Sequence, residues 1–209
     1  MKELLYKELS MQKGIMKKNI QSLVIVIVLN AVYIYTKTPN ISFVMGIYGV
    51  LFMVMNTVIN SITIEKSNKM FEKMLTMFRV EKIIGSKLIV AMGIGTIVGF
   101  VLSLGNRLLS VVLYNQKFDV QMQILEIVVI TLLSLVLSFL FGTVYLLIDN
   151  VTLCGWIITP VTYGTIILCM VIGEIKTWQF IVAGIGCIVV SAILYKVLGL
   201  VKPDRLTKE

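Results

Sequence analysis

The sequence predicts an all-α, polytopic integral membrane protein with six transmembrane helices, an N-terminal interfacial amphipathic helix and a second amphipathic helix between spans two and three. Of its 209 residues, 58% are hydrophobic and only 14% are charged, whereas soluble domains contain about 45–50% apolar residues. Six apolar runs approach the roughly 20 residues that cross a bilayer as a helix. No repeat, linker or low-complexity segment divides the chain, so residues 1–209 form a single predicted transmembrane domain.

The six predicted spans are separated by short connections. Their ranges are 20–36, 41–64, 88–106, 124–148, 151–172 and 179–201. Only Asp149 and Asn150 separate the fourth run from the fifth, and Asn favours turns. We therefore expect these two spans to form a tight hairpin.

The distribution of Lys and Arg predicts the orientation of the spans. With the amino terminus in the cytoplasm, fifteen of the 19 Lys and Arg residues fall on the cytoplasmic side. The four on the outer side are Lys37, Arg107, Lys117 and Lys176. Because the cytoplasmic connections of membrane proteins carry an excess of Lys and Arg, both termini are expected in the cytoplasm. The basic residues follow the membrane topology, so they do not indicate nucleic acid as a partner.

Residues 1–19 have the pattern of a basic amphipathic helix. Its apolar half contains Leu4, Leu5, Leu9, Met11, Ile15 and Met16, and the opposite half contains Lys7, Lys13, Lys17 and Lys18. Such a helix is expected to lie in the inner membrane interface, with its apolar side in lipid. Glu8 interrupts that apolar side.

Residues 65–87 form the second predicted amphipathic helix, on the cytoplasmic side. At about 100° per residue, its apolar side chains fall within an arc of roughly 160°. They are Met70, Phe71, Met74, Leu75, Met77 and Phe78, and the opposite side carries Lys69, Glu72, Lys73, Thr76 and Arg79. Two compatible interpretations fit this pattern: a docking surface for a cytoplasmic protein, and a helix lying flat on the lipid headgroups.

Small residues recur at intervals of four in three of the spans. The rows are Gly95, Gly99 and Ser103 in the third span, Ser134, Ser138 and Gly142 in the fourth, and Ala183, Cys187 and Ser191 in the sixth. Helices in lipid associate where small residues let their backbones approach. We interpret all three rows as helix-packing faces.

The chain lacks residues that many enzymes and metal sites require. It contains no histidine, which removes the commonest general base and a frequent metal ligand. The phosphate-binding pattern GxxxxGK[ST] is absent, and Gly85-Ser86-Lys87 is its nearest approach. Acidic residues are almost missing from the spans, so no paired carboxylates are visible. We therefore predict no catalytic residue, no metal site and no cofactor in this chain.

Five polar or charged residues of the spans are candidates for a translocation path or gate. They are Asn30, Asn56, Asn60, Arg107 and Glu126. Asparagines within spans either line a polar path or hydrogen-bond a neighbouring helix. Arg107 and Glu126 lie near the outer ends of their spans, where they form either a structural ion pair or a substrate gate.

Four short motifs follow one another after the second span. They are Glu65-Lys66, residues 71–75 (FEKML), residues 81–84 (EKII) and Ser86-Lys87-Leu88. In this order they resemble the corresponding segment of type-2 ABC transporter permeases, the membrane subunits of bacterial exporters that use a separate ATPase. The proline that usually precedes the basic patch in that family is absent here.

The resemblance implies that the chain is a permease subunit of an ATP-driven exporter in the bacterial cytoplasmic membrane. Its partners would be a cytoplasmic ABC ATPase, which binds the ATP and Mg²⁺, a second identical or related permease, and membrane lipid. Residues 65–87 would then be the coupling helix that sits in a cleft of the ATPase. Its buried anchors would be Met70, Phe71, Met74, Leu75 and Phe78, with Lys69, Glu72 and Lys73 at the rim.

The cargo and two other functions are open on the sequence alone. The scarcity of charged residues in the spans favours a hydrophobic or amphipathic cargo, such as a peptide or lipid. The substrate-binding membrane component of an energy-coupling-factor vitamin transporter also has six spans, but the amphipathic helix at 65–87 counts against it. A lipid- or peptide-processing enzyme is disfavoured by the missing histidine and acidic clusters.

Overall fold

The computed structural model describes residues 1–13, 41–114, 117–147 and 176–199, together with the isolated positions 156, 160 and 164. Every regular element in these parts is helical. Helix α1 covers residues 2–13, and the others are α2 (Ile41–Ser67), α3 (Met70–Met77), α4 (Val80–Tyr114), α5 (Val120–Leu147) and α6 (Thr177–Leu198). The all-α prediction is confirmed for the described parts of the chain.

Helices α2, α4, α5 and α6 are each long and apolar enough to cross a membrane. Their outward surfaces carry large apolar side chains, such as Ile97 on α4 and Ile188 on α6, while Ser103, Ser134 and Glu126 are buried between helices. A soluble protein usually has the reverse distribution. These four helices indicate a membrane-embedded protein and correspond to predicted spans two, three, four and six.

The third span is longer than predicted. The sequence placed it at residues 88–106, whereas its apolar stretch Val80–Leu113 contains 34 residues. That stretch is about 51 Å of helix, against a hydrocarbon core of about 30 Å, so α4 either tilts strongly or extends past the bilayer. Ile83 and Ile84 are buried in the core, and this packing keeps the first turns of α4 helical.

Helices α2, α5 and α6 run in one direction and α4 runs in the opposite direction. Near the start of α2, Ser42 contacts Glu126 near the start of α5, and the Phe43 ring lies 5.0 Å from the Phe180 ring in the first turn of α6. We call the end of the bundle that holds α1 and α3 the α1 end, and the opposite end the Glu126 end. The last turns of α6 also lie at the α1 end, where Tyr195 packs edge-on against Phe139.

The two longest gaps in the description each lead to the Glu126 end of the bundle. Helix α1 is described to residue 13, where Gln12 donates a hydrogen bond to the Thr57 carbonyl oxygen near the middle of α2, and α2 begins at Ile41 at the Glu126 end. Helix α5 ends at Leu147 at the α1 end, and α6 begins at Thr177 at the Glu126 end. Predicted spans 20–36 and 151–172 fall in these gaps and lie outside the described residues, apart from three isolated positions in the second.

The predicted small-residue rows of the third and fourth spans form packing faces. A Cβ added to Gly99 would lie 2.5 Å from Val50 Cγ2 and 3.0 Å from the Gly46 carbonyl oxygen, so only glycine allows α2 and α4 to approach this closely at that point. The Ser134 hydroxyl donates a hydrogen bond to the Met92 carbonyl oxygen at 2.9 Å, which fastens α5 to α4.

The predicted row on the sixth span lies partly on its packing face. The buried residues of α6 are Phe180, Gly184, Ser191 and Leu198. Of the predicted row, Ser191 is buried, Cys187 is partly buried and Ala183 is exposed. The face continues toward the start of α6 through Gly184 and Phe180, whose ring packs edge-on against Phe43.

Candidate functional site

The segment between α2 and α4 is not the single helix that the sequence predicted. Helix α2 continues to Ser67, Lys69 adopts left-handed backbone angles (φ 53°, ψ 27°), and α3 covers only Met70–Met77. Phe78 is extended (φ −135°, ψ 150°), and α4 begins at Val80. A left-handed residue ends a helix, and an extended residue ends the next one. The predicted 65–87 helix is therefore three pieces, of which only α3 lies outside the spanning helices.

Helix α3 divides its apolar side chains between the interior of the chain and the surface. Met74 is 8% exposed, and its Sδ accepts a hydrogen bond from Lys7 Nζ at 3.0 Å. Leu75 and Phe78 pack partly buried against the same core. Met77 points outward and is 73% exposed, and Met70 is 37% exposed.

The predicted polar face of α3 is at the surface. Lys69, Glu72 and Lys73 are exposed. The side chain of Phe71 lies outside the described part of the molecule. Half of the expected docking arc thus packs against the chain's own helices, and Met70, Met77 and the charged residues remain accessible.

Helix α1 buries a polar stripe rather than the predicted apolar one. Leu4, Glu8 and Gln12, at intervals of four, are its buried residues. Tyr6 and Leu9 are exposed. The expectation that Glu8 merely interrupts a lipid-facing surface is therefore wrong, because this carboxylate faces a cationic partner inside the protein.

The partner of Glu8 is Lys87, within a group of five residues that we call the Lys87 cluster. Lys87 Nζ lies 2.6 Å from Glu8 Oε1 and 2.6 Å from Ser61 Oγ, and the Ser61 hydroxyl donates to Glu8 Oε2 at 2.8 Å. Lys87 also forms an ion pair with Glu65, whose other oxygen lies 2.5 Å from Lys7 Nζ. Two ammonium groups and two carboxylates therefore balance one another where α1, α2 and α4 meet.

The Lys87 cluster, together with the contact between Met74 and Lys7, links four helices. Lys7 belongs to α1, Glu65 to α2 and Lys87 to α4, and Met74 adds α3 through its contact with Lys7. Removal of one member of a buried ion pair typically costs about 3–5 kcal/mol, because it leaves a charge without compensation. The sequence analysis identified none of these pairings, although Glu8 interrupts the apolar side of the predicted N-terminal helix.

A second group of buried polar residues, which we call the Glu126 cluster, lies at the opposite end. Glu126 accepts hydrogen bonds from Arg107, from Ser103 at 3.0 Å and from Ser42 at 3.2 Å. Gln123 donates to Ser103 Oγ at 3.1 Å. The predicted pairing of Arg107 with Glu126 is present in the structure, whereas the sequence analysis did not identify Ser42 or Gln123 as part of this site.

Three buried atoms in and beside the Glu126 cluster have no hydrogen-bond partner among the described residues. They are Gln123 Oε1 and Arg107 Nε within the cluster, and Oδ1 of Asn106, the residue that precedes Arg107 on α4. The amide orientations follow from the surroundings: Asn106 Nδ2 must face the Leu102 carbonyl oxygen, which only accepts. The Ser103 hydroxyl gives its one hydrogen to Glu126, so it must accept from Gln123. Two amide oxygens and one guanidinium N–H are therefore available to form hydrogen bonds with a polar ligand.

Two of the remaining candidate residues, Asn56 and Asn60, lie one turn apart on α2. Asn56 donates to the Phe52 carbonyl oxygen of its own helix at 2.9 Å, so this amide donor does not bridge to a neighbouring helix. Asn60 is partly buried one turn further along α2. Asn30 lies outside the described residues. The translocation-path assignment of these three residues stays a prediction.

Comparison with protein-family models, with curated proteins and with solved structures found no match to this chain. Any functional assignment therefore depends on α3 and on the two polar clusters.

Proposed function

We propose that this chain is the membrane-spanning permease subunit of an ATP-driven exporter. In the complex it pairs with a second permease, identical or related, and with cytoplasmic ABC ATPase subunits that bind ATP and Mg²⁺. The cargo is hydrophobic or amphipathic, a peptide or a lipid-like molecule. The observation that carries the proposal is α3, a short charged helix outside the spans whose inner face contacts the charged cluster linking α1, α2 and α4.

The described helices support six spans with both termini in the cytoplasm. The gap after α5 starts at the α1 end and finishes at the Glu126 end, as one further crossing requires, and the gap after α1 also finishes at the Glu126 end. The charges agree, because nine of the thirteen described Lys and Arg residues lie at the α1 end. These are Lys2, Lys7, Lys66, Lys69, Lys73, Arg79, Lys82, Lys87 and Lys196. In this proposal the α1 end is the cytoplasmic side.

The exposed face of α3 supplies the ATPase contact. Met77 and Met70 are its accessible apolar residues, and methionine adapts to an irregular partner surface. The exposed Lys69, Glu72 and Lys73 surround them, which suits a contact with apolar anchors and a charged rim. Met77, rather than the buried Met74 that the resemblance implied, is therefore the proposed anchor.

A movement of α3 reaches the spans through the Lys87 cluster. Met74 contacts Lys7, Lys7 pairs with Glu65, and Glu65 pairs with Lys87. Because the separation of buried charges is costly, the four helix ends move together rather than independently. Closure of an attached ATPase is thereby passed to α2 and α4 as a rigid-body displacement.

The test is to purify the tagged chain from the membranes of its native host and to measure Mg²⁺-dependent ATP hydrolysis in the preparation. We expect an ATP-hydrolysing subunit to accompany the wild-type chain and to be lost from Met77→Asp. The matched control is Phe118→Asp, which changes another exposed apolar residue at the Glu126 end. Met74→Asp is unsuitable because Met74 is buried. Wild-type preparations without ATP hydrolysis, or full retention by Met77→Asp, contradict the proposal.

The Glu126 cluster favours a second candidate, the substrate-binding membrane component of an energy-coupling-factor vitamin transporter. Asn106, Gln123 and Arg107 present buried polar atoms without partners among the described residues, as a site for a small polar ligand requires. A purified chain that retains a small molecule without any ATPase, and loses it in Gln123→Leu, supports this candidate over the exporter.

A further inference from the structure

An apolar groove opens between α4, α5 and α6 at the α1 end of the bundle. Its volume is about 500 Å³, and its walls include Leu88, Met92, Leu135, Phe139 and Leu198. Ligand pockets in proteins typically measure roughly 300–1,000 Å³. The groove therefore has the size of a binding site and the walls of an acyl-chain site.

A second concavity adjoins the groove at the joint between α3 and α4. It is more open and more polar, has a volume of about 520 Å³, and is lined in part by Thr76 and Arg79. Val80 and Glu81 line both concavities. The apolar groove and this second concavity, which we call the notch, thus share one wall. A ligand with an apolar tail and a polar head fits this arrangement.

The charges around these concavities indicate the sign of that head. Arg79 lines the notch and Lys196 lines the groove, and Lys82 is exposed on the same turn of α4 as Glu81. Glu81 is the one acidic residue among the described residues that line either concavity. Two lining cations against one lining carboxylate favour an anionic head, because exposed cations at the membrane surface attract anionic lipids.

We propose that the groove and the notch together bind one anionic phospholipid of the surrounding membrane. The acyl chain lies along Leu88, Met92 and Leu135, and the phosphate lies between Arg79 and Lys196. Both concavities are at the ends of the spanning helices, which is the level of the headgroups. The lipid contacts α3, α4, α5 and α6 at once, so it fastens the joint at Phe78 and Arg79 to the bundle. This site does not depend on the exporter proposal.

The direct test is photocrosslinking with a phosphatidylglycerol that carries a diazirine in its acyl chain. The full-length chain is reconstituted into phosphatidylcholine vesicles that contain this probe, irradiated and digested for peptide mapping. We expect labelling on the peptides that contain Leu88–Met92 and Leu135–Phe139. Labelling spread evenly over all lipid-facing helices, including Ile185 and Ile188 of α6, would overturn the proposal.

One variant and its matched control test the groove by native mass spectrometry, which measures how much phosphatidylglycerol stays bound. Gly85 lines the groove, and a Cβ there meets only a Met1 methyl at 3.9 Å, whereas a Cβ on Gly93 meets nothing within 4 Å. Gly85→Phe should therefore fill the groove and reduce phosphatidylglycerol binding, and Gly93→Phe should not. Equal binding by the two variants contradicts the proposal.

The headgroup contact is tested by removal of charge. Arg79→Gln and Lys196→Gln should each reduce phosphatidylglycerol binding about fivefold, with little effect on phosphatidylcholine. Lys73→Gln and Lys117→Gln, which remove exposed charges elsewhere, are the controls. The proposal is wrong if phosphatidylcholine binds as well as phosphatidylglycerol, or if all four variants lose binding alike.

Discussion

Lys87 Nζ lies 2.6 Å from Glu8 Oε1, although the two residues are 79 positions apart and both side chains are only 3% exposed. The contact fastens α1 to α4 inside the protein. Glu65 and Lys7 balance the remaining charges of the cluster. The N-terminal helix is therefore a packed part of the bundle, with its charged stripe buried and Tyr6 and Leu9 at the surface.

Lys87→Gln should strongly destabilise the folded chain. In this variant Glu8 and Glu65 share the single ammonium group of Lys7, so one buried negative charge is left without compensation. We expect the free energy of unfolding to fall by about 3–5 kcal/mol. Thermal unfolding in detergent measures the change.

A double substitution separates charge imbalance from the loss of the side chain. Glu8→Gln with Lys87→Gln leaves the Glu65–Lys7 pair balanced, so it should recover much of the lost stability. Lys73→Gln, at an exposed position, serves as the control. If Lys87→Gln is as stable as Lys73→Gln, the cluster does not hold α1 in place.

Arg107 and Glu126 should behave as a structural pair rather than as a gate. Glu126→Gln removes the carboxylate that accepts from Arg107, Ser103 and Ser42, and we expect a loss of about 1–3 kcal/mol. Arg107→Gln combined with Glu126→Gln should be more stable than either single variant. If the pair were a gate, these variants would change the leak or transport measured in a solute-flux assay. Their thermal stability would be unchanged.

Gly99→Ala should destabilise the contact between α2 and α4. The added Cβ meets Val50 Cγ2 at 2.5 Å and Ile130 Cγ2 at 2.8 Å, and such overpacking costs about 1–3 kcal/mol. Gly93→Ala, with nothing near its Cβ, should instead be neutral or gain up to about 1 kcal/mol from helix propensity. The melting temperatures of the two variants are compared with that of the wild-type chain. If both substitutions change the melting temperature equally, α2 and α4 do not approach each other as closely at Gly99 as the structure shows.

The proposed orientation predicts which end of the bundle reacts with an impermeant thiol reagent on intact cells. With Cys154, Cys169 and Cys187 replaced by alanine, Phe118→Cys should be labelled from outside. Met77→Cys should be labelled only after the cells are opened. Both residues are exposed at opposite ends of the bundle, so the reverse result would invert the topology.

The helices and two of their packing faces were predictable because they depend on local patterns. A run of about 20 apolar residues indicates a span without knowledge of its neighbours. Small residues at intervals of four, such as Gly95, Gly99 and Ser103, likewise indicate a packing face. The sixth span shows the limit, because the small-residue spacing identified Ser191 and Cys187 but not Phe180, which packs against Phe43 on another helix.

The break in the 65–87 segment and the Lys87 cluster were not predictable in this way. The backbone leaves the helix at Lys69 and at Phe78, and neither residue is a glycine or a proline. The sequence therefore contains no signal that would interrupt the predicted helix at either position. Each charged residue of the cluster, taken alone, resembles an ordinary solvated residue. Only the tertiary fold brings Glu8, Glu65 and Lys87 together.

Photocrosslinking from Met77 tests whether the exposed face of α3 binds an ATPase, as we propose. A benzophenone amino acid replaces Met77 or, as the control, Phe118, and native membranes are irradiated and labelled with azido-ATP. We expect a crosslinked species from position 77 that contains an ATP-labelled subunit, and none from position 118. Crosslinks from position 77 to lipid alone, or to a protein that does not bind ATP, would contradict it.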